Sequence, residues 1–131
     1  MKTRIISAVL AVLTLLSLMG CAGSSGQVFS DKVCGSVTEV QFTAWDETVH
    51  TCTDAGKVAQ ILEFLQSLEL SDYDGEVYEG AYMFTLIGAD KPLGFAVTGA
   101  WLSAGGRMYT ADNCSDIDER ILEIMGLADK Y

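Results

Sequence analysis

Residues 37–68, VTEVQFTAWDETVHTCTDAGKVAQILEFLQSL, change hydrophobic period halfway along, and that change decides the fold class. Alternation starts at about Val33. Val40, Phe42 and Ala44 fall on one side, and Glu39, Gln41 and Thr43 on the other, the period-two pattern of a strand with one face in a core. Asp46 and Glu47 interrupt it, and Thr48 to Cys52 reads as the returning strand of a hairpin. A two-residue turn would set Val49 opposite Ala44 and His50 opposite Thr43, although Asp-Glu is not a favoured pair for such a turn. In that register His50 and Cys52 share the polar face. From Thr53-Asp54, which offers an N-cap, the period becomes helical: Val58, Ile61, Leu62, Leu65 and Leu68 form one apolar stripe over about four turns.

Outward from this unit, Leu70 to Gly80 is rich in acids and glycine and reads as a loop. Ala81 to Gly88 is apolar and aromatic, a buried strand closed by Asp90-Lys91-Pro92, where proline forbids ladder donation. Leu93 to Ser103 and Arg107 to Ala111 flank Gly105-Gly106, a pair suited to a tight hairpin turn. Ser115 to Asp118 resembles a capping box, opening a helix whose stripe is Ile117, Ile121, Ile124 and Met125 and which Gly126 can close. The order β-β-α-β-β-β-α with short connections predicts an α+β two-layer sandwich, one antiparallel sheet of about five strands with two helices on one face. A weak internal echo, Cys52-Thr-Asp before Ile61-Leu62-Glu63 and Cys114-Ser-Asp before Ile121-Leu122-Glu123, fits two strand-pair-plus-helix units.

The 131 residues carry 18 acidic and 8 basic side chains. Setting aside residues 1–20 with Lys2 and Arg4 leaves 6 basic against 18 acidic, a formal charge of −12 over 111 residues. That length suits one domain. The charge argues against nucleic acid and against adsorption to an anionic membrane surface, since both need a positive face.

Lys2 and Arg4 precede the run Ile5 to Met19, apolar apart from Ser7, Thr14 and Ser17, in the layout of an export signal. The run is too short for a comfortable membrane span. It ends in Leu18-Met19-Gly20-Cys21, which resembles the lipobox of bacterial lipoprotein precursors. The resemblance covers only the export segment. It implies cleavage after Gly20, a diacylglyceryl group on the Cys21 thiol, and a domain tethered to the outer side of a cell membrane or outer membrane; in a Gram-negative cell Ala22, not being Asp, fits outer-membrane sorting. Two acyl chains hold a protein stably where one does not. The expected division is a signal peptide over 1–20, lipidated Cys21 and a flexible tether over 21–32, opened by Ala22-Gly-Ser-Ser-Gly26, and a single globular domain over 33–131.

Little in the domain points to catalysis. There is no nucleophile elbow, phosphate-binding loop or His-Glu-x-x-His. His50, the one histidine, reads as a solvent-facing strand residue, so no enzymatic activity and no cofactor are expected. Cys34, Cys52 and Cys114 all fall at one end of a five-stranded sheet, and an exported protein can keep disulfides. Cys34 with Cys114 is the favoured pair and Cys52 the other partner, although Cys34 with Cys52 requires the first strand to curl back. A thiolate metal site completed by His50 or Asp112 is the sharper reading, but no zinc-like spacing exists, and no metal site is assigned.

Asp72-Tyr-Asp-Gly-Glu-Val-Tyr-Glu79 gathers four acids and two tyrosines. Its opening resembles a calcium loop without the later ligands. Its other functional reading is an interaction loop, Asp72, Tyr73, Asp74, Glu76, Tyr78 and Glu79, in which the tyrosines give rigid contact area and the acids select a basic partner; its plain reading is a solvated acidic loop. Trp45 is expected to be exposed beside the hairpin turn, and Trp101, flanked by Ala100 and Leu102, to be core. The function that follows is a membrane-anchored binding or accessory module meeting a protein, peptide or cell-wall component through the open sheet face or the Tyr loop. A cation or small-ligand carrier using residues 72–79 is the second reading.

Overall fold

The computed structural model describes residues 28–76, 80–89 and 91–131. The export segment, Cys21, Tyr78 and Glu79 lie outside them. The chain is α+β: one antiparallel sheet with helices packed on one side. In chain order the elements are α1 (Asp31–Cys34), β1 (Val37–Thr43), β2 (Val49–Cys52), α2 (Ala55–Gln66), β3 (Leu70–Asp72), β4 (Tyr82–Gly88), β5 (Leu93–Thr98), β6 (Trp101–Ala104), β7 (Arg107–Ala111) and α3 (Ile117–Met125). The seven strands lie in the order β2-β1-β4-β5-β6-β7-β3.

The two strands beyond the expected five have separate causes. Leu70–Asp72, read as part of a loop, pairs with the free edge of β7. The run Leu93–Ser103 is broken by a two-residue turn at Gly99-Ala100, with Thr98 paired to Trp101. Gly99 has φ +58°, a conformation L side chains rarely adopt, and a Cβ there would stand 3.3 Å from the Ser115 carbonyl oxygen. The Gly105-Gly106 turn forms as expected, between paired Ala104 and Arg107.

Every fully buried strand residue belongs to one face. Phe42, Phe84 and Phe95 are direct cross-strand partners on β1, β4 and β5, with ring centroids 5.1 and 5.5 Å apart. Phe29 adds an edge-on contact to Phe95 at 5.3 Å. Such pairs are worth about 0.5–1.5 kcal/mol beyond their buried area. Val58, Ile61, Leu62, Leu65 and Leu68 are buried over this layer, as the stripe predicts. Asp54 Oδ1 accepts from the Lys57 N–H at 2.9 Å and caps α2. On α3 the expected capping box is not formed. Asp116 is the N-cap and makes no side-chain cap bond; its Oδ1 accepts from Cys114 Sγ at 3.3 Å. Gly126 closes α3 in the left-handed conformation.

The folded body starts earlier than the expected boundary at residue 33. Phe29 is 1% exposed, and Gln66 Nε2 donates to the Phe29 carbonyl and to Asp31 Oδ1 at 3.2 and 2.9 Å. Val28 to Lys32 therefore belong to the domain. Sequence alone places them in the tether, because one aromatic after a Gly-Ser stretch has no periodicity to reveal it.

The β1–β2 hairpin closes one residue out of the expected register. Phe42 pairs with His50, Thr43 with Val49 and Val40 with Cys52. The turn has three residues, Trp45-Asp46-Glu47: the Ala44 N–H donates to the Thr48 carbonyl at 2.9 Å and the Glu47 N–H to the Ala44 carbonyl at 3.0 Å. Glu47 takes φ +67°, the left-handed third position of such a loop. A one-residue slip exchanges the faces of a whole strand. His50 and Cys52 consequently face the helices rather than solvent.

Candidate binding surface

The cysteines and the histidine do not form a site. β1 and β5 run in one direction, β4 and β6 in the other, and β7 again with β1. Cys34, before β1, and Cys52, at the end of β2, thus share one end of the sheet. Cys114, after β7, sits at the other end. A six-residue strand such as β5 spans roughly 20 Å. A Cys34–Cys114 disulfide, limited to about 7 Å between Cα atoms, is therefore ruled out by topology. The added reversal at Gly99 is what moved Cys114 away from the other two. Cys34 and Cys52 both enter the core, because α1 turns the chain back over the sheet, and all three thiols are free. Burial raises the pKa of Cys34 and, to a lesser burial, of Cys114, so these thiols are poorly nucleophilic. His50 Nε2 lies 2.6 Å from the Tyr131 hydroxyl, and both rings pack on Phe42, at 6.0 and 5.2 Å. The histidine fastens the C-terminal residue over the core. The same sheet polarity separates the cysteines and acids considered for a metal, and Asp112 Oδ2 accepts from the Ser71 hydroxyl. Among the described residues no group of three or more His, Cys, Asp or Glu could hold a metal ion.

The other sheet face carries the unexplained chemistry. No outward strand residue is fully buried, and neither a lysine nor an arginine stands among them. Register alone defines two rows across it. The first runs Val49, Thr43, Met83, Ala96, Ser103, Met108, each the partner of the next. It continues to Tyr73, whose N–H donates to the Met108 carbonyl at 2.9 Å. With strands about 4.8 Å apart this track is roughly 30 Å long. The second row is Thr98, Trp101, Thr110 and Ser71.

Three large apolar side chains are open to solvent at the β2–β1–β4 end: Trp45 at 81%, Val49 at 53% and Met83 at 48%. Trp45 is exposed as its sequence position suggests. Trp101 is not core. The Gly99 turn joins it to Thr98 on the outer face, half-buried, with the Tyr73 ring edge-on at 6.3 Å. Its neighbours Ala100 and Leu102 were no guide, because alternate residues of a strand face opposite ways.

Acids rim both ends of the track. Asp46 and Glu47 lie in the hairpin turn. At the other end Asp74 and Glu76, both exposed, follow Tyr73, while Asp72, paired in β3 with the buried Tyr109, stands on the helix side of the sheet. A Cβ on Gly75 would collide with the Tyr73 phenol, so glycine here lets that ring fold back over its own chain. Where the two rows meet, the small side chains Ala81, Ala96, Thr98 and Ser103 leave a depression of about 210 Å³ walled by Trp101 and Met108. Single-strand patterning could not show it, since it exists only once β4, β5, β6 and β7 are in register.

No protein-family model, curated protein or solved structure matches the chain.

Proposed function

We propose that this protein is a non-enzymatic binding module, anchored through Cys21 to the outer side of a bacterial membrane, which meets a basic protein or peptide through the outer face of its sheet. The observation that carries the reading is the largely apolar track from Val49 to Tyr73, with acids beyond both ends and no lysine or arginine among the outward-facing strand residues. Exposed apolar surface rimmed by polar groups marks interaction sites. Trp, Tyr and Met are the residue types enriched at such contacts. The acidic rim speeds encounter with a basic partner and rejects an acidic one. The anchor rests on Leu18-Met19-Gly20-Cys21.

A photo-crosslinking amino acid at Met83, compared with one at the exposed Glu119 of α3, tests the surface in the native cell envelope. The expected result is a discrete, salt-sensitive adduct from position 83 and none from 119. Equal labelling from both, or from 119 alone, overturns the reading.

A further inference from the structure

We propose that the depression between Trp101 and Met108 is the anchor pocket for a lysine side chain of the basic partner; this deepens the preceding reading and rests on it. Its size, about 210 Å³, matches one long side chain rather than a whole small molecule of drug size. The small side chains Ala81, Ala96, Thr98 and Ser103 leave room for a four-carbon stem. Thr98 lines the cavity, and its Oγ1 is buried beside it with no hydrogen-bond partner. A buried hydroxyl in that state carries a desolvation penalty that a donor can remove. An ammonium supplies three donors, and the Trp101 ring on the cavity wall, with the Tyr73 ring edge-on to it at 6.3 Å and 67°, adds aromatic surface beside the same charge. Asp74 and Glu76 follow Tyr73 along the chain and add negative potential at this end of the track. An anionic occupant would meet no lysine or arginine among the outward-facing strand residues, and a purely apolar one would leave Thr98 unsatisfied.

The test titrates the full-length chain, held in a non-ionic detergent, with an alternating Lys-Ala octapeptide and with the same peptide acetylated on every lysine. The chain has two tryptophans, so a Trp45→Phe background makes fluorescence report on Trp101 alone. The lysine peptide should shift that emission saturably, and the acetylated one should bind at least tenfold more weakly. Thr98→Val should weaken the lysine peptide about tenfold, the order of one hydrogen bond to a charged group. Ala96→Leu, which fills the depression without changing the charge, should remove the response. Thermal unfolding of both variants controls for folding. Equal binding of the two peptides overturns the lysine assignment. Undiminished lysine-peptide binding by both Thr98→Val and Ala96→Leu overturns the pocket while leaving a basic partner elsewhere on the face. No binding of the lysine peptide by the wild-type protein contradicts the pocket and the basic-partner reading together.

Discussion

Glu47 and Asp46 show how much one position can decide. Glu47 stands at φ +67° without the glycine that this loop position favours. An L side chain in that region costs roughly 1 kcal/mol, so Glu47→Gly should raise stability by up to about 1 kcal/mol, read as a higher melting temperature. Asp46 braces the same loop by accepting from Thr48, and this holds its carboxyl below the usual range. A lowered folded pKa means the stabilisation is present above the ordinary carboxylate range and lost as the pH falls through the folded value. Asp46→Ala should therefore be less stable than wild type at neutral pH, with the gap closing under acid. A gap constant from pH 7 to pH 2 in paired melts would contradict this role. The pair also explains why His50 was misplaced from sequence. Asp-Glu carries no mark of a three-residue loop, and a slip of one residue turned His50 and Cys52 from the open face to the core.

Among the elements, those with many evenly spaced apolar residues were legible and those defined by a single residue were not. The α2 stripe from Val58 to Leu65, Leu68 just beyond the helix, and the alternation through Val40, Phe42 and Ala44 are buried as read. The strand at Leu70–Asp72 has three residues, too few to show a period, and exists because β7 offers it an edge. The break at Gly99 hides inside a run whose apolar character never lapses; its one signal was a glycine within a strand. Missing it cost both the end of the sheet for Cys114 and the face for Trp101. Phe29 is the corresponding case at the start of the domain. Because its ring completes the Phe42–Phe84–Phe95 stack, Phe29→Ala should cost about 3–5 kcal/mol in chemical denaturation. A loss below 1 kcal/mol would return residues 28–32 to the tether.

For the molecule as a whole, the α+β class and the antiparallel sheet were readable because they depend on element types and short connections. The proposed binding surface was readable only as an open sheet face and an acidic Tyr loop. Its track and depression are products of register across the strands, which no single segment encodes. The two layers divide the work. One face of the sheet buries Phe29, Phe42, Phe84 and Phe95 under α2 and α3, and the other keeps Trp45, Val49 and Met83 in water at an energetic cost that a partner can recover. Hydroxyl-radical footprinting of Trp45, Met83, Trp101 and Met108, in intact cells of the host and on the purified protein, tests that division most directly. The account predicts strong oxidation of Trp45 and Met83 in the purified protein and clear protection of the whole track in cells. Equal oxidation of these residues in both states would contradict the claim that the outer sheet face is the working surface.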